Sequence, residues 1–111
     1  MIAVLFEAAP AEGQQETYMA LAAALRPQLE EIDGFISIER FQSLSDPKRL
    51  LSLSFWRDEA AVAQWRQFGP HRQAQAAGRD AVFTDYRLRI ANVVRDYGLN
   101  DRAEAPDQTE A

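Results

Sequence analysis

The chain has no cysteine and a single histidine among its 111 residues. Without thiols there are no disulfides, thiolate zinc sites, iron–sulfur clusters or cysteine nucleophiles. One imidazole excludes a histidine-rich transition-metal site, which usually needs two or three. No metal is therefore expected. No apolar run approaches the ~20 residues needed to cross a bilayer. There is no long Lys/Arg run either, and 12 basic residues against 17 acidic ones leave a net charge of −5. A nucleic-acid partner would ask for a basic face, so none is expected. A phosphate-cradling glycine loop, a G-x-S-x-G elbow, an H-E-x-x-H helix and a calcium loop are all missing. The residues after Met1 carry none of the positive charge that opens a signal peptide. The expectation is a soluble, cytoplasmic protein that makes no use of a membrane.

What is present fits one globular domain: 47% hydrophobic, 10% aromatic and 26% charged residues. Charge is uneven along it. Asp101, Glu104, Asp107 and Glu110 face only Arg102 at the C-terminal end, whereas the body is nearly balanced. Residues 1–98 read as the domain and 99–111 as an acidic, flexible tail. A domain of this size buries one core, so a ligand pocket must be carved from it or shared with a second copy.

Ile2 to Phe6 is an apolar, β-branched run punctuated by Pro10 and Gly13, which predicts a strand. From Gln14, Tyr18, Leu21, Leu25 and Leu29 recur at three- and four-residue steps with alanines between them, the pattern of a helix. Pro27 removes one donor late in that helix and predicts a kink or weakened last turn. Asp33-Gly34 closes it, glycine tolerating the positive φ that follows a helix. Phe35 to Leu44 and Leu50 to Trp56 read as a hairpin around Ser45-Asp46-Pro47-Lys48. Asp58 is placed to cap a second helix through Trp65, interrupted at Gly69-Pro70, with His71 to Ala77 as a further short segment. Val82 to Val94 is a final strand, in which Tyr86, Leu88 and Ile90 alternate with Arg87 and Arg89. The order β-α-β-β-α-β predicts an α+β, ferredoxin-like fold: a four-stranded antiparallel sheet with both helices on one face.

Such a sheet should alternate apolar-in and polar-out, and these strands do not. Leu51, Leu53 and Phe55 share one face while Leu50 and Trp56 flank Ser52 and Ser54 on the other. Ile2, Val4 and Phe6 oppose Ala3 and Leu5, and Phe35 and Phe41 oppose Ile36 and Ile38. Each fully buried Leu, Ile or Phe is worth roughly 1.5–3 kcal/mol relative to exposure. Several on a bare sheet exceed what soluble monomers tolerate. The expected cover is a second copy, sheet against sheet about a two-fold axis. The alternative is irregular pairing, with bulges hiding the surplus.

Trp56 ends the third strand and Trp65 lies within the second helix. His71 follows the Gly-Pro break with Gln75 one turn beyond, so the two would share a helix face. One reading is an aromatic-walled pocket in which His71 acts as base or donor to a planar ligand. In the other, the tryptophans are core and His71 satisfies a loop carbonyl; the Val62, Trp65, Phe68 spacing suits a core stripe. Glu7, just after an apolar strand, is either an inward acid with a raised pKa or a solvated strand end. Glu39-Arg40, Arg87 and Arg89 suit cross-strand ion pairs as well as an anion site.

The segments Gly34-Phe35-Ile36-Ser37-Ile38-Glu39-Arg40-Phe41 and Leu51-Ser52-Leu53-Ser54-Phe55-Trp56, followed by Asp58-Glu59-Ala60 and Trp65, resemble the antibiotic biosynthesis monooxygenase domain over about residues 1–97. The resemblance implies a dimeric α+β barrel, two ferredoxin-like sheets facing each other. It also implies chemistry ranging from cofactor-independent oxygenation of anthrones and quinols to haem degradation. In the polyketide-oxidising members an Asn precedes the strand-three Trp by four positions and a Tyr follows it by six. Trp56 matches that Trp, while Ser52 and Val62 stand at the other two places. In the haem-degrading members, Trp65 matches a helix-two Trp, Glu7 falls near a strand-one Asn, and Gln75 stands where a His would be.

The reading is a homodimeric, cofactor-independent monooxygenase acting on a planar aromatic or quinol-type small molecule. His71 would be catalytic, and Trp56, Trp65, Gln75, Ser52 and Glu7 would bind substrate. The alternative is a non-catalytic, small-ligand-binding or stress-associated dimer. An RNA-binding module is disfavoured, because strand three lacks the basic-aromatic signature.

Overall fold

In a computed structural model, residues 1–67 and 82–106 are described. They form β1 (Ile2–Pro10), α1 (Gln15–Glu30), β2 (Phe35–Gln42), β3 (Leu50–Trp56), α2 (Glu59–Gln67) and β4 (Phe83–Asn92). This is the expected β-α-β-β-α-β order, and the strands make one sheet in the order β2-β3-β1-β4 with every pair antiparallel. The segment predicted over 71–77 and the break at Gly69-Pro70 lie outside the described residues. Among the described residues no helix is long and apolar enough to cross a membrane.

Local chemistry accounts for the boundaries. α1 runs through Pro27 and stops at Glu30, so the proline costs the one bond its amide would have given the Ala23 carbonyl and leaves less than a turn of helix beyond it. The Asp46 carbonyl accepts from the Arg49 amide at 2.9 Å, and its carboxylate accepts from the Lys48 amide at 3.1 Å, closing the β2–β3 hairpin. Asp58 caps α2 by accepting the Ala61 amide at 2.9 Å. That bond first, and the Arg57 guanidinium next, hold the Asp58 carboxyl below the ordinary carboxylate range. The cap therefore contributes at neutral pH and is lost as acid protonates it.

Register decides the faces, because directly opposed residues point the same way. Four rows cross the helix-covered side: Phe35, Trp56, Ile2, Asn92; Ile38, Ser54, Val4, Ile90; Arg40, Ser52, Phe6, Leu88; and Gln42, Leu50, Ala8, Tyr86. The helices divide these rows between two apolar clusters. At the Trp56 end, Leu29, Ala61, Val62 and Trp65 pack with Trp56, against Leu25, Ile32, Phe35 and Ile38. At the other end Tyr18, Leu50 and Val82 pack against Phe6, Leu21 and Phe83. The helical spacing of Tyr18, Leu21, Leu25 and Leu29 lets one stripe of α1 serve both clusters.

The opposite face carries Ala3, Leu5, Leu51, Leu53, Phe55 and Phe41, and among the described residues no helix lies on it. One sequence expectation needs correction there. Phe35 and Phe41 do not share a face, because the pairing of β2 with β3 shifts between Phe35 and Ser37. The bulged residue, Ile36, is 53% exposed, and the extra position returns Phe35 to the same side as Ile38.

Gly34 ties the helix layer to the sheet. Its φ of +95° is the positive value expected after α1. A Cβ there would stand 2.7 Å from the Ala61 Cβ and 3.3 Å from the Arg57 guanidinium. Backbone and packing both demand glycine, since a side chain is strained at this φ and Ala61 is fully buried. Gly34→Ala is expected to cost about 2 kcal/mol or more in urea unfolding. An unchanged midpoint would show that α2 does not rest on this glycine.

Candidate functional site on the helix-covered face of the sheet

Between the two apolar clusters the sheet presents small polar side chains. Ser52 and Ser54, in neighbouring rows at the centre of β3, are buried at 8% and 6% exposure. Strand alternation puts them on the same side as Trp56, which is 2% exposed. The indole Nε1–H of Trp56 donates to Ser54 Oγ at 2.9 Å, and Phe35 meets the ring edge-on with centroids 5.3 Å apart. Position and tilt of Trp56 are thus fixed by one hydrogen bond and one aromatic contact. Trp65, from α2, joins the same buried cluster.

Three of the sequence-derived candidates, Ser52, Trp56 and Trp65, therefore lie on one side of the sheet. Glu7 lies on the other. Its carboxylate meets Arg89 Nη1 at 3.2 Å and Arg49 Nη2 at 3.7 Å, beside a cleft of about 260 Å³ also bordered by Phe41 and Leu51. The Glu7–Arg89 contact is a diagonal cross-strand pair, of the kind read from the alternating arginines of β4. These side chains are roughly half exposed, and pairs of this sort contribute little stability. His71 and Gln75 lie outside the described residues. Val62, which stands at the tyrosine place of the polyketide-oxidising pattern, is buried in the Trp56 cluster.

Two further residues of this face are Tyr18, read from sequence as part of the helix stripe, and Arg40. Tyr18 anchors an aromatic group with Phe83 at 5.3 Å and Phe6 at 6.3 Å between centroids. Arg40 lies next to Ser52 in its row, with its guanidinium carbon 6.0 Å from the Tyr18 ring centroid. From sequence Glu39-Arg40 suited cross-strand ion pairs as well as an anion site, and the register sends Glu39 to the open face and Arg40 toward the helices. The available signal was the placement of Arg40 across from a serine in an otherwise apolar row.

The fold agrees with what comparison shows. The profile described as antibiotic biosynthesis monooxygenase matches residues 1–77. The chain belongs to that family. A relative named jasmonate monooxygenase ABM, from Pyricularia oryzae, is 46% identical over 112 residues, 99% of this chain and 52% of that protein. The chain thus spans about half the length of this curated relative. A Mycobacterium tuberculosis structure superposes with a TM-score of 0.78 at 15% identity, covering 87% of this chain and 98% of that one. A Shewanella oneidensis structure gives a TM-score of 0.74 at 19% identity, covering 81% and 87%. At these identities the structures establish a shared fold alone.

The Ser54–Trp56 bond makes a direct test of how the site is built. Ser54→Ala strands a buried indole N–H and is expected to cost about 1–3 kcal/mol. In a urea-unfolding cycle with Trp56→Phe, the double variant should cost less than the two singles together. Strict additivity would mean that the hydrogen bond does not hold the ring.

Proposed function

We propose that the protein is a cofactor-independent monooxygenase acting on a planar aromatic or quinol-type small molecule. The substrate would lie on the helix-covered side of the sheet, beside Trp56 and Trp65. The observation that carries this reading is the meeting of both family-matched tryptophans in one buried cluster, with the buried Ser52 and Ser54 beside it on the same face of the sheet. Family membership and the monooxygenase name of the Pyricularia relative support it.

The chemistry asks little of the protein. A base removes the acidic phenolic or benzylic proton, and the resulting electron-rich anion reduces dioxygen. One oxygen atom enters the substrate as a carbonyl, and the other leaves as water with the two hydrogens that the carbon has lost. The substrate supplies the electrons, so the protein needs one proton acceptor, apolar walls and exclusion of water. His71 is proposed as that base and Gln75 as a neighbouring contact, with Trp56 and Trp65 as walls.

A second reading, a non-catalytic ligand-binding dimer, is favoured by Ser52 and Val62. Neither supplies the amide or phenol of the polyketide-oxidising pattern, and Val62 is committed to packing. Oxygen uptake with a panel of anthrones, quinols, jasmonate and haem, followed beside tryptophan fluorescence, separates the two. Uptake with a quinol or anthrone that falls at least tenfold in His71→Ala supports the enzyme; about 1.4 kcal/mol of barrier corresponds to that factor. Quenching without uptake selects the binder, and unchanged uptake in His71→Ala removes that residue from the mechanism.

We further propose that two copies pair through the uncovered sheet face. Its centre is apolar, with Leu5, Leu51, Leu53 and Phe55. Its β2 edge carries Glu39, and its β4 edge carries Arg87 and Arg89. A two-fold axis parallel to the strands would bring the acidic edge of one copy to the basic edge of the other. Sedimentation should give twice the 12.5 kDa chain mass, and Leu53→Arg should release monomer without disturbing the helix-covered side. A parent chain that sediments as monomer at micromolar concentration overturns the pairing.

A further inference from the structure

Arg40 is placed where a cation is costly. It lies on the helix-facing side of the edge strand β2, and its Nε is fully buried with no hydrogen-bond partner. Among the described residues no carboxylate pairs with it, since Glu39 points to the other face and Glu7 is engaged there by Arg49 and Arg89. What it does have is the Tyr18 ring at 6.0 Å and, directly across the strand pair, Ser52. Ser52 is buried, and among the described residues its hydroxyl has no hydrogen-bond partner, unlike that of Ser54.

A guanidinium N–H buried without a partner is rare, because burial removes water from a group that binds it strongly. The neighbouring Ser52 hydroxyl, with no partner among the described residues, adds a second donor on the same face. Both donors face the layer between sheet and helices, and the next residue in their row is Phe6, whose ring is flanked by Tyr18, Phe83 and Tyr86. Two donors beside an aromatic wall are what an apolar acid requires. Its carboxylate takes charge-assisted bonds from the guanidinium and a bond from the hydroxyl, and its rings lie against the aromatics.

We propose that Arg40 and Ser52 form an anion-binding end of the substrate site, and that the ligand is an aromatic or otherwise apolar carboxylic acid. This deepens the substrate class of the preceding section and rests on its placement of the site. It assigns Arg40 to binding and orientation, with no proton transferred.

The test uses 2-naphthylacetic acid and its neutral isostere 2-naphthylacetamide, titrated calorimetrically at pH 7 into the full chain. The parent protein should bind the acid at least about tenfold more tightly than the amide, the preference a charge-assisted bond supplies. Arg40→Gln should bind the two alike. Arg40→Lys should keep part of the preference, because it retains charge but not the planar fork. Ser52→Ala should weaken the acid more than the amide, and it serves if Arg40→Gln fails to fold. The melting temperature of Arg40→Gln should not fall below that of the parent, since the guanidinium has no internal ion pair to lose. Equal binding of acid and amide by the parent, as when water alone satisfies Nε, overturns the proposal. So does heat from neither compound, or an acid preference that survives Arg40→Gln. Oxygen uptake is not the readout here: neutral quinols turned over by a protein without acid preference would sink this inference and leave the oxygenase standing. Acid preference without turnover would do the reverse.

Discussion

The pairing register of β3, with β1 on one side and β2 on the other, is the constraint from which the rest follows. It sends Leu50, Ser52, Ser54 and Trp56 toward the helices and Leu51, Leu53 and Phe55 away from them. A slip of one residue would bury the leucines of the open face under α1 and α2 and expose the indole. Nothing in β3 alone forbids that slip, because both of its faces contain large apolar groups. Specificity comes from what flanks it. Gly34, whose close approach to Ala61 sets the start of β2, and the Asp46 turn, which sets the hairpin, fix the strand from both ends.

The serines acquire their meaning within this register. A sheet face wholly filled with Leu and Phe would join the two apolar clusters into one and leave no polar group beneath the helices. Instead the centre of the face holds two hydroxyls with different fates. Ser54 is consumed by the Trp56 indole, so it is part of the framework that keeps the ring in place. Ser52 has Arg40 for its cross-strand neighbour and no such internal duty among the described residues. The same residue type, two positions apart, thus serves rigidity in one case and is left available for recognition in the other.

Much of the fold was legible because its signals are local. The bounds of β3, the cap at Asp58, the positive φ at Gly34 and the sense of the hairpin all depend on chemistry within a few residues. Features set by strand pairing were not legible in the same way. The bulge at Ile36 cannot be read from an alternating apolar string, and it moved Phe35 to the helix side. Glu7 was grouped with Trp56 and Ser52 by likeness to a family position, yet the period of two in β1 places it on the opposite face. Arg40 was left open from sequence between a cross-strand ion pair and an anion site. Only the register places it across from Ser52 on the helix side.

The two faces of β3 also bear on how assembly and recognition can depend on each other. Odd positions point toward the proposed second copy and even positions toward the proposed ligand, so the same seven-residue strand would be loaded from both sides. Covering the odd face removes the freedom of β3 to twist or shift against β1, because its leucines would then be packed on a partner. That stiffening reaches the even side chains without any contact between ligand and partner. The distance from Ser52 to Arg40 across the strands, and the tilt of Trp56 on Ser54, would then be held by burial on the far side of the sheet. In a domain too small to build a second supporting layer from its own chain, a second copy is the economical source of that rigidity.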